Sequence, residues 1–211
     1  MEAKIIPAII AKSQEDLEDK IRLVQDYVDL IQLDIMDGIF VPNKSLDFNF
    51  KLPKINCQFE AHLMVDNPDD WVKKNWKKAD AILIPIESCK NPKELIEASK
   101  TKIGFALNPK TPLERIKDYL EQIDQVLIMT VQPGFYGKKF LPEVLEKVRE
   151  LRRLKPELDI EVDGGINPET IKSAFGAGAN LLVSGSYIMN SKNPKEAIEK
   201  LYNACSFLPS P

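Results

Sequence analysis

The stretch Leu30-Ile31-Gln32-Leu33-Asp34-Ile35-Met36-Asp37-Gly38 reads as a buried strand that ends in a turn. Leu30, Ile31, Leu33 and Ile35 make it apolar, and Gly38 gives the backbone a place to bend. Two carboxylates, Asp34 and Asp37, sit at its C-terminal end. An ionised acid inside an apolar strand is unfavourable by several kcal/mol, roughly, unless it is paired. The bland reading is a strand-end acid that caps a loop.

The same layout recurs along the chain. Upstream, Lys4–Ile10 is a short apolar strand, and Ser13 with Asp16 resembles a capping box ahead of Leu17, Ile21, Val24 and Val28 at helical spacing. Downstream come strands at Gln58–Val65, Ala81–Glu87, Ile103–Leu107, Gln125–Val131, Asp159–Val162 and Leu181–Val183. Helices open at Asn67-Pro68, Asn91-Pro92, Thr111-Pro112, Asn167-Pro168 and Asn193-Pro194, and a long amphipathic one covers Leu141–Leu154. Pro is preorganised at the first helical position, and the Asn or Thr before it can accept from an unpaired amide. Strand and helix alternate about eight times, which calls for parallel strands with helical crossovers. Eight units favour a closed (β/α)8 barrel over an open doubly wound sheet, as one domain over residues 1–211. No Gly-x-Gly-x-x-Gly follows the first strand, which weakens a dinucleotide-binding reading.

Composition narrows the function. The net charge is −3 and the lysines are interleaved with acids, which disfavours nucleic acid as a partner. No apolar run approaches a membrane span. The start, Met1 to Pro7, enters a strand directly without the layout of a signal peptide. Cys57, Cys89 and Cys205 lie far apart without metal-type spacing, so reduced thiols in a cytoplasmic protein are expected.

In such a barrel the C-terminal strand ends form one rim, and that rim carries the active site. Strand two brings Gln32, Asp34 and Asp37 there, strand three His62 and strand seven Asp163. His62 is the sole histidine, in phase with Asp34 on the neighbouring strand. Two carboxylates on separated strands can remove a proton from one face of a carbon and return one to the other. The resulting enediolate needs a Lewis-acid metal or hydrogen-bond donors. Gly134 and Gly137, Gly164-Gly165 and Ser184-Gly185-Ser186 follow strands six, seven and eight, the quadrant in which this fold holds phosphate. Met36, Met64 and Met129 fall near strand ends, where core packing is the ordinary reading and a dry site lining the alternative.

These pieces resemble the ribulose-phosphate 3-epimerase family. The resemblance rests on residues 33–38 with Phe40 to Asn43, Ala61 to Met64 with Asn67-Pro68, and Leu107 to Pro109 with Thr111 to Leu113. It continues through Met129 with Val131, Pro133 to Phe135, Glu161 to Gly165 and Ser184 to Ser186. It implies interconversion of ribulose 5-phosphate and xylulose 5-phosphate, with Asp34 and Asp163 as the acid–base pair. It also implies a divalent cation (zinc, manganese or iron in the family) on Asp34, His62 and Asp163, with His62 near the substrate. Met36, Met64 and Met129 would line the site, and Gly134, Gly137, Gly164, Gly165, Gly185 and Ser186 would cradle phosphate. Homo-oligomers are a further implication. The chain departs from the family pattern where Gln32 stands for a metal-binding histidine, Ala11 for a serine, Pro85 for a histidine and Tyr136 for a glycine, with Lys138 close by. A neutral amide oxygen in place of imidazole should weaken zinc and favour manganese or magnesium. The alternatives are an enzyme of the same fold acting on another phosphorylated compound, or a sugar-phosphate-binding protein without turnover.

Overall fold

The computed structural model describes residues 2–135 and 137–206; Tyr136 and the tail at 207–211 lie outside the described residues. Eight parallel strands close on themselves: β1 (Lys4–Ile9), β2 (Leu30–Asp37), β3 (Gln58–Met64), β4 (Ala81–Pro85), β5 (Lys102–Leu107), β6 (Gln125–Met129), β7 (Asp159–Asp163) and β8 (Leu181–Ser184). Each pairs with the next, and β1 pairs with both β2 and β8, so the (β/α)8 barrel is closed. Around it lie α1 (Gln14–Val24), α2 (Pro68–Asn75), α3 (Pro92–Ala98), α4 (Leu145–Leu154), α5 (Thr170–Gly176), the single turn α6 (Ser186–Met189) and α7 (Pro194–Ser206).

Alternation along each strand divides two cores. Ile5, Ile9, Ile31, Leu33, Ile82, Phe105, Ile128, Ile160 and Val162 face outward into the layer beneath the helices. Leu83, Ala106, Leu127 and Met129, with Ile6, Ala8, Leu181 and Val183, form smaller apolar groups of their own. Between them runs a polar column in place of the usual branched aliphatics: Gln32, Asp34, Glu60, His62, Gln125, Glu161 and Asp163, all buried. Gly104 makes room for it, since a Cβ there would lie 2.7 Å from Leu83 Cδ2 and 2.8 Å from Gln125 Cγ.

Local signals worked unevenly. Ser13 accepts from the Asp16 amide at 3.1 Å, but Asp16 reaches past Ser13 to the Lys12 amide. Asn67 and Asn193 cap their helices with side-chain oxygens, Asn167 accepts from the Glu169 and Thr170 amides in the turn before α5 begins at Thr170, and Asn91 makes no capping bond. The expected helix at Thr111-Pro112 is instead two 3-10 turns, Leu113–Arg115 and Lys117–Tyr119. The Thr111 hydroxyl is drawn to Glu87 Oε1, and Ile116 at φ −120° interrupts the spiral. Residues Pro142–Val144 likewise form a 3-10 turn before α4 begins. The loop after β2 contains a two-residue antiparallel strand, Lys44–Ser45, that folds back on Met36 and Asp37.

Candidate active site

At the C-terminal rim the register sets Asp34 opposite His62 and Met36 opposite Met64 on β2 and β3, and Met129 opposite Asp163 on β6 and β7. A cavity opens above them. It is lined by Asp34, Asp163, the three methionines, Ala8 and Ile10. Gly134, Gly137, Gly164, Gly165, Gly185 and Ser186 line the same cavity, and Phe135 and Lys138 also contribute.

The carboxylates converge on one amide. Gln32 Nε2 donates to Asp34 Oδ1 at 2.8 Å and to Asp163 Oδ2 at 3.0 Å. His62 does not line the cavity; it lies buried with Nδ1 3.5 Å from Asp34 Oδ1 and 3.3 Å from Asp163 Oδ2. Burial works against its charge, but contact with Asp163 and Asp34 outweighs this and lifts the imidazole to about 9. Asp34 is itself raised, by burial and by the neighbouring charge of Asp163, against the pull of His62 and Gln32. Asp34 and His62 are both buried, so each feels the other in a low-dielectric setting.

Asp37, the other strand-end acid, has a different job. Its Oδ1 accepts from the Ile39 and Phe40 amides and its Oδ2 from Asp66, tying the loop after β2 to the one after β3. Ala11 is buried in the outer core with its amide on Ser45, away from the cavity that Ala8 lines. Pro85 ends β4 and does not reach the cavity. Ser184 turns to the Ile166 carbonyl, leaving Gly185 and Ser186 to face the cavity.

The glycine wall has specific supports. Gly164 adopts φ +118°, and a Cβ there would meet Val131 Cγ2 at 2.3 Å. Thr130 donates to the carbonyls of Asp163 and Gly164, fixing the turn that carries the acid. Asn43 Nδ2 bonds the Gly134 carbonyl from the loop after β2. At the rim the Lys138 ammonium stands 5.6 Å from the centre of the Phe135 ring.

Sequence reading missed the layer beneath. Gln125 Nε2 donates to Glu60 Oε2 at 3.1 Å and to Glu161 Oε2 at 3.0 Å, and both acids are fully buried. Burial lifts Glu60 to about 7 and Glu161 well above its usual range, the latter helped by the charge of Glu60. The signal was present: Glu60 and Glu161 precede His62 and Asp163 by two residues, the period that keeps side chains on one face of a strand.

A divalent cation fits this arrangement. Asp34, His62 and Asp163 each present a ligand atom within 4.8 Å of the others. Gln32 Oε1 is buried beside them with no hydrogen-bond partner among the described residues. Cys57, Cys89 and Cys205 take no part: all are buried free thiols, and burial pushes them up to about 11, 12 and 11.

Residues 4–189 match the model of the ribulose-phosphate 3-epimerase family. The chain belongs to that family. It is 41% identical to the cytoplasmic isoform of ribulose-phosphate 3-epimerase from Oryza sativa subsp. japonica, across 94% of this chain and 92% of that protein. It is 36% identical to the Bacillus subtilis ribulose-phosphate 3-epimerase, across 94% and 97%. Among solved structures, orotidine 5'-phosphate decarboxylase from Pyrococcus horikoshii superposes with a TM-score of 0.68 at 17% identity, covering 97% of this chain and all of that one. The 3-hexulose-6-phosphate synthase of Salmonella typhimurium gives 0.66 at 14%, covering 96% and 98%. At that identity these two share the fold alone. No helix among the described residues is long and apolar enough to cross a membrane.

Proposed function

We propose that this member of the ribulose-phosphate 3-epimerase family interconverts ribulose 5-phosphate and xylulose 5-phosphate, in a cytoplasmic setting like that of the rice relative. The observation that carries the reading is one cavity lined both by Asp34 and Asp163 and by the small residues of the loops after β6, β7 and β8. A phosphorylated ketose held by Gly134, Gly137, Gly164, Gly165, Gly185 and Ser186 would extend its C3 toward the two acids.

In one direction Asp163 takes the C3 proton as general base, and Asp34, in its acid form, delivers one to the opposite face. The reverse reaction exchanges the roles. His62, buried with Nδ1 3.5 Å from Asp34 and 3.3 Å from Asp163, holds the two acids in position. Met36, Met64 and Met129 exclude water without offering a competing acid. Asp34, His62 and Asp163 would hold a divalent cation, which when bound polarises the substrate carbonyl and stabilises negative charge on its oxygen.

The test is incubation with ribulose 5-phosphate in D2O, with the C3 proton followed by NMR, in chelator and with added manganese, magnesium or zinc. Loss of the C3 signal, absent from Asp34→Asn, supports epimerase chemistry. Phosphate-ester binding with no exchange under any condition indicates a binding protein. Lys138 on the cavity wall favours a second reading, a substrate with an additional anionic group, which a panel of phosphorylated ketoses and acids would reveal.

A further inference from the structure

Both hydrogens of the Gln32 amide are committed, one to each catalytic carboxylate, while its oxygen is buried without a donor among the described residues. Gln32 is wholly inaccessible, so water does not satisfy that oxygen from bulk. The same Nε2 lies 3.5 Å from His62 Nδ1, so the amide end occupies the centre of the three-residue cluster.

Electrostatics dictates this orientation. With no cation at the centre, an inward oxygen would face two carboxylates, whereas an inward NH2 bridges them. A divalent cation reverses the preference, because NH2 hydrogens repel it and the amide oxygen is a hard ligand. The two orientations differ by a half-turn about a soft terminal torsion and fill nearly the same volume, so the packed surroundings need not move.

We propose that Gln32 is a two-position positioning residue. With NH2 inward it ties Asp34 to Asp163 and holds the acid–base pair in place of a cation; with oxygen inward it is the fourth ligand of a hard divalent ion. The proposal rests on the reading of Asp34, His62 and Asp163 as a cation site, and its test contains no substrate, so it is decided apart from the epimerase reading.

The measurement is manganese binding to chelator-stripped protein, read from the EPR signal of the free ion, with zinc affinity from competition against a chromophoric chelator. Wild type, Gln32→His and Gln32→Leu are compared. If the amide oxygen is a ligand, Gln32→Leu binds manganese about 10–100-fold more weakly than wild type. Gln32→His then tightens zinc by a similar factor and manganese by much less. In parallel, the Gln32 side-chain NH2 resonance, identified by its absence from Gln32→Leu, is protected from solvent in the stripped protein and shifts strongly on saturation with zinc. Manganese bound equally well by wild type and Gln32→Leu overturns the proposal. So does cation binding confined to Gln32→His, or an NH2 resonance that zinc leaves unchanged.

Discussion

Asp34 and His62 are register partners on β2 and β3, with Asp34 Oδ1 3.5 Å from the imidazole Nδ1. Strand pairing alone brings them together. The second acid, Asp163, arrives from β7 on the far side of β1 and β8, 3.3 Å from the same nitrogen. One buried imidazole therefore lies within reach of both acids.

That arrangement makes stability depend on pH in a defined sense. His62 moves from 6.5 to about 9 on folding, so its contribution is complete below about 6.5 and is lost as pH rises through 9. Wild type should lose stability across that window in urea unfolding. His62→Gln should be less stable at pH 7 by about 3 kcal/mol, since two buried carboxylates lose their counter-charge, and its slope there should be much shallower. An unchanged slope would assign the dependence elsewhere.

The lower layer should respond at lower pH. Glu60 rises from 4.5 to about 7, so its favourable neutral form is intact below about 4.5 and the advantage fades as pH climbs through 7. Glu60→Gln is neutral throughout and offers Glu161 a donor. Between pH 5 and 8 its melting temperature should fall less than that of wild type, the remaining slope being that of His62, leaving the variant ahead by about 2–4 °C at pH 8.

Asp34→Asn and Asp163→Asn should each lower kcat about 10²–10⁴-fold, the usual worth of a positioned acid or base. KM should change little, because neither residue belongs to the loops proposed to hold phosphate. A large rise in KM with kcat intact would place these residues in binding.

The glycine wall separates strain from crowding. Gly164→Ala meets both a positive φ and a Val131 methyl at 2.3 Å, and should destabilise by about 2 kcal/mol or more while weakening phosphate-ester binding. Gly137, at φ +77°, has open space where a Cβ would sit, with nothing within 4 Å, and should tolerate Ala at roughly 1 kcal/mol. Paired denaturant curves and phosphate titrations would check both.

Ser186 lines the cavity, so Ser186→Asp should set a like charge against the phosphate. KM should rise by at least about tenfold, with kcat much less affected, and inhibition by inorganic phosphate should weaken in step.

The alternation of apolar strands with Asn-Pro and Thr-Pro helix starts determined the barrel, because the periods of strand and helix and the chemistry of caps are local properties. Asp34, His62 and Asp163 were legible for the same reason: each is a polar group toward the C-terminal end of a strand. Tertiary structure decided what each group does. It turned Asp37 away to three backbone amides, drew Thr111 from helix capping to Glu87, and buried His62 beneath the cavity. It also stacked Glu60, Gln125 and Glu161 into a layer and aimed the Gln32 amide between two acids. Those outcomes depend on which side chains from distant strands meet inside a closed barrel, and on the balance of charge and desolvation there. A linear pattern places residues on faces; only closure of the barrel sets them within hydrogen-bonding reach.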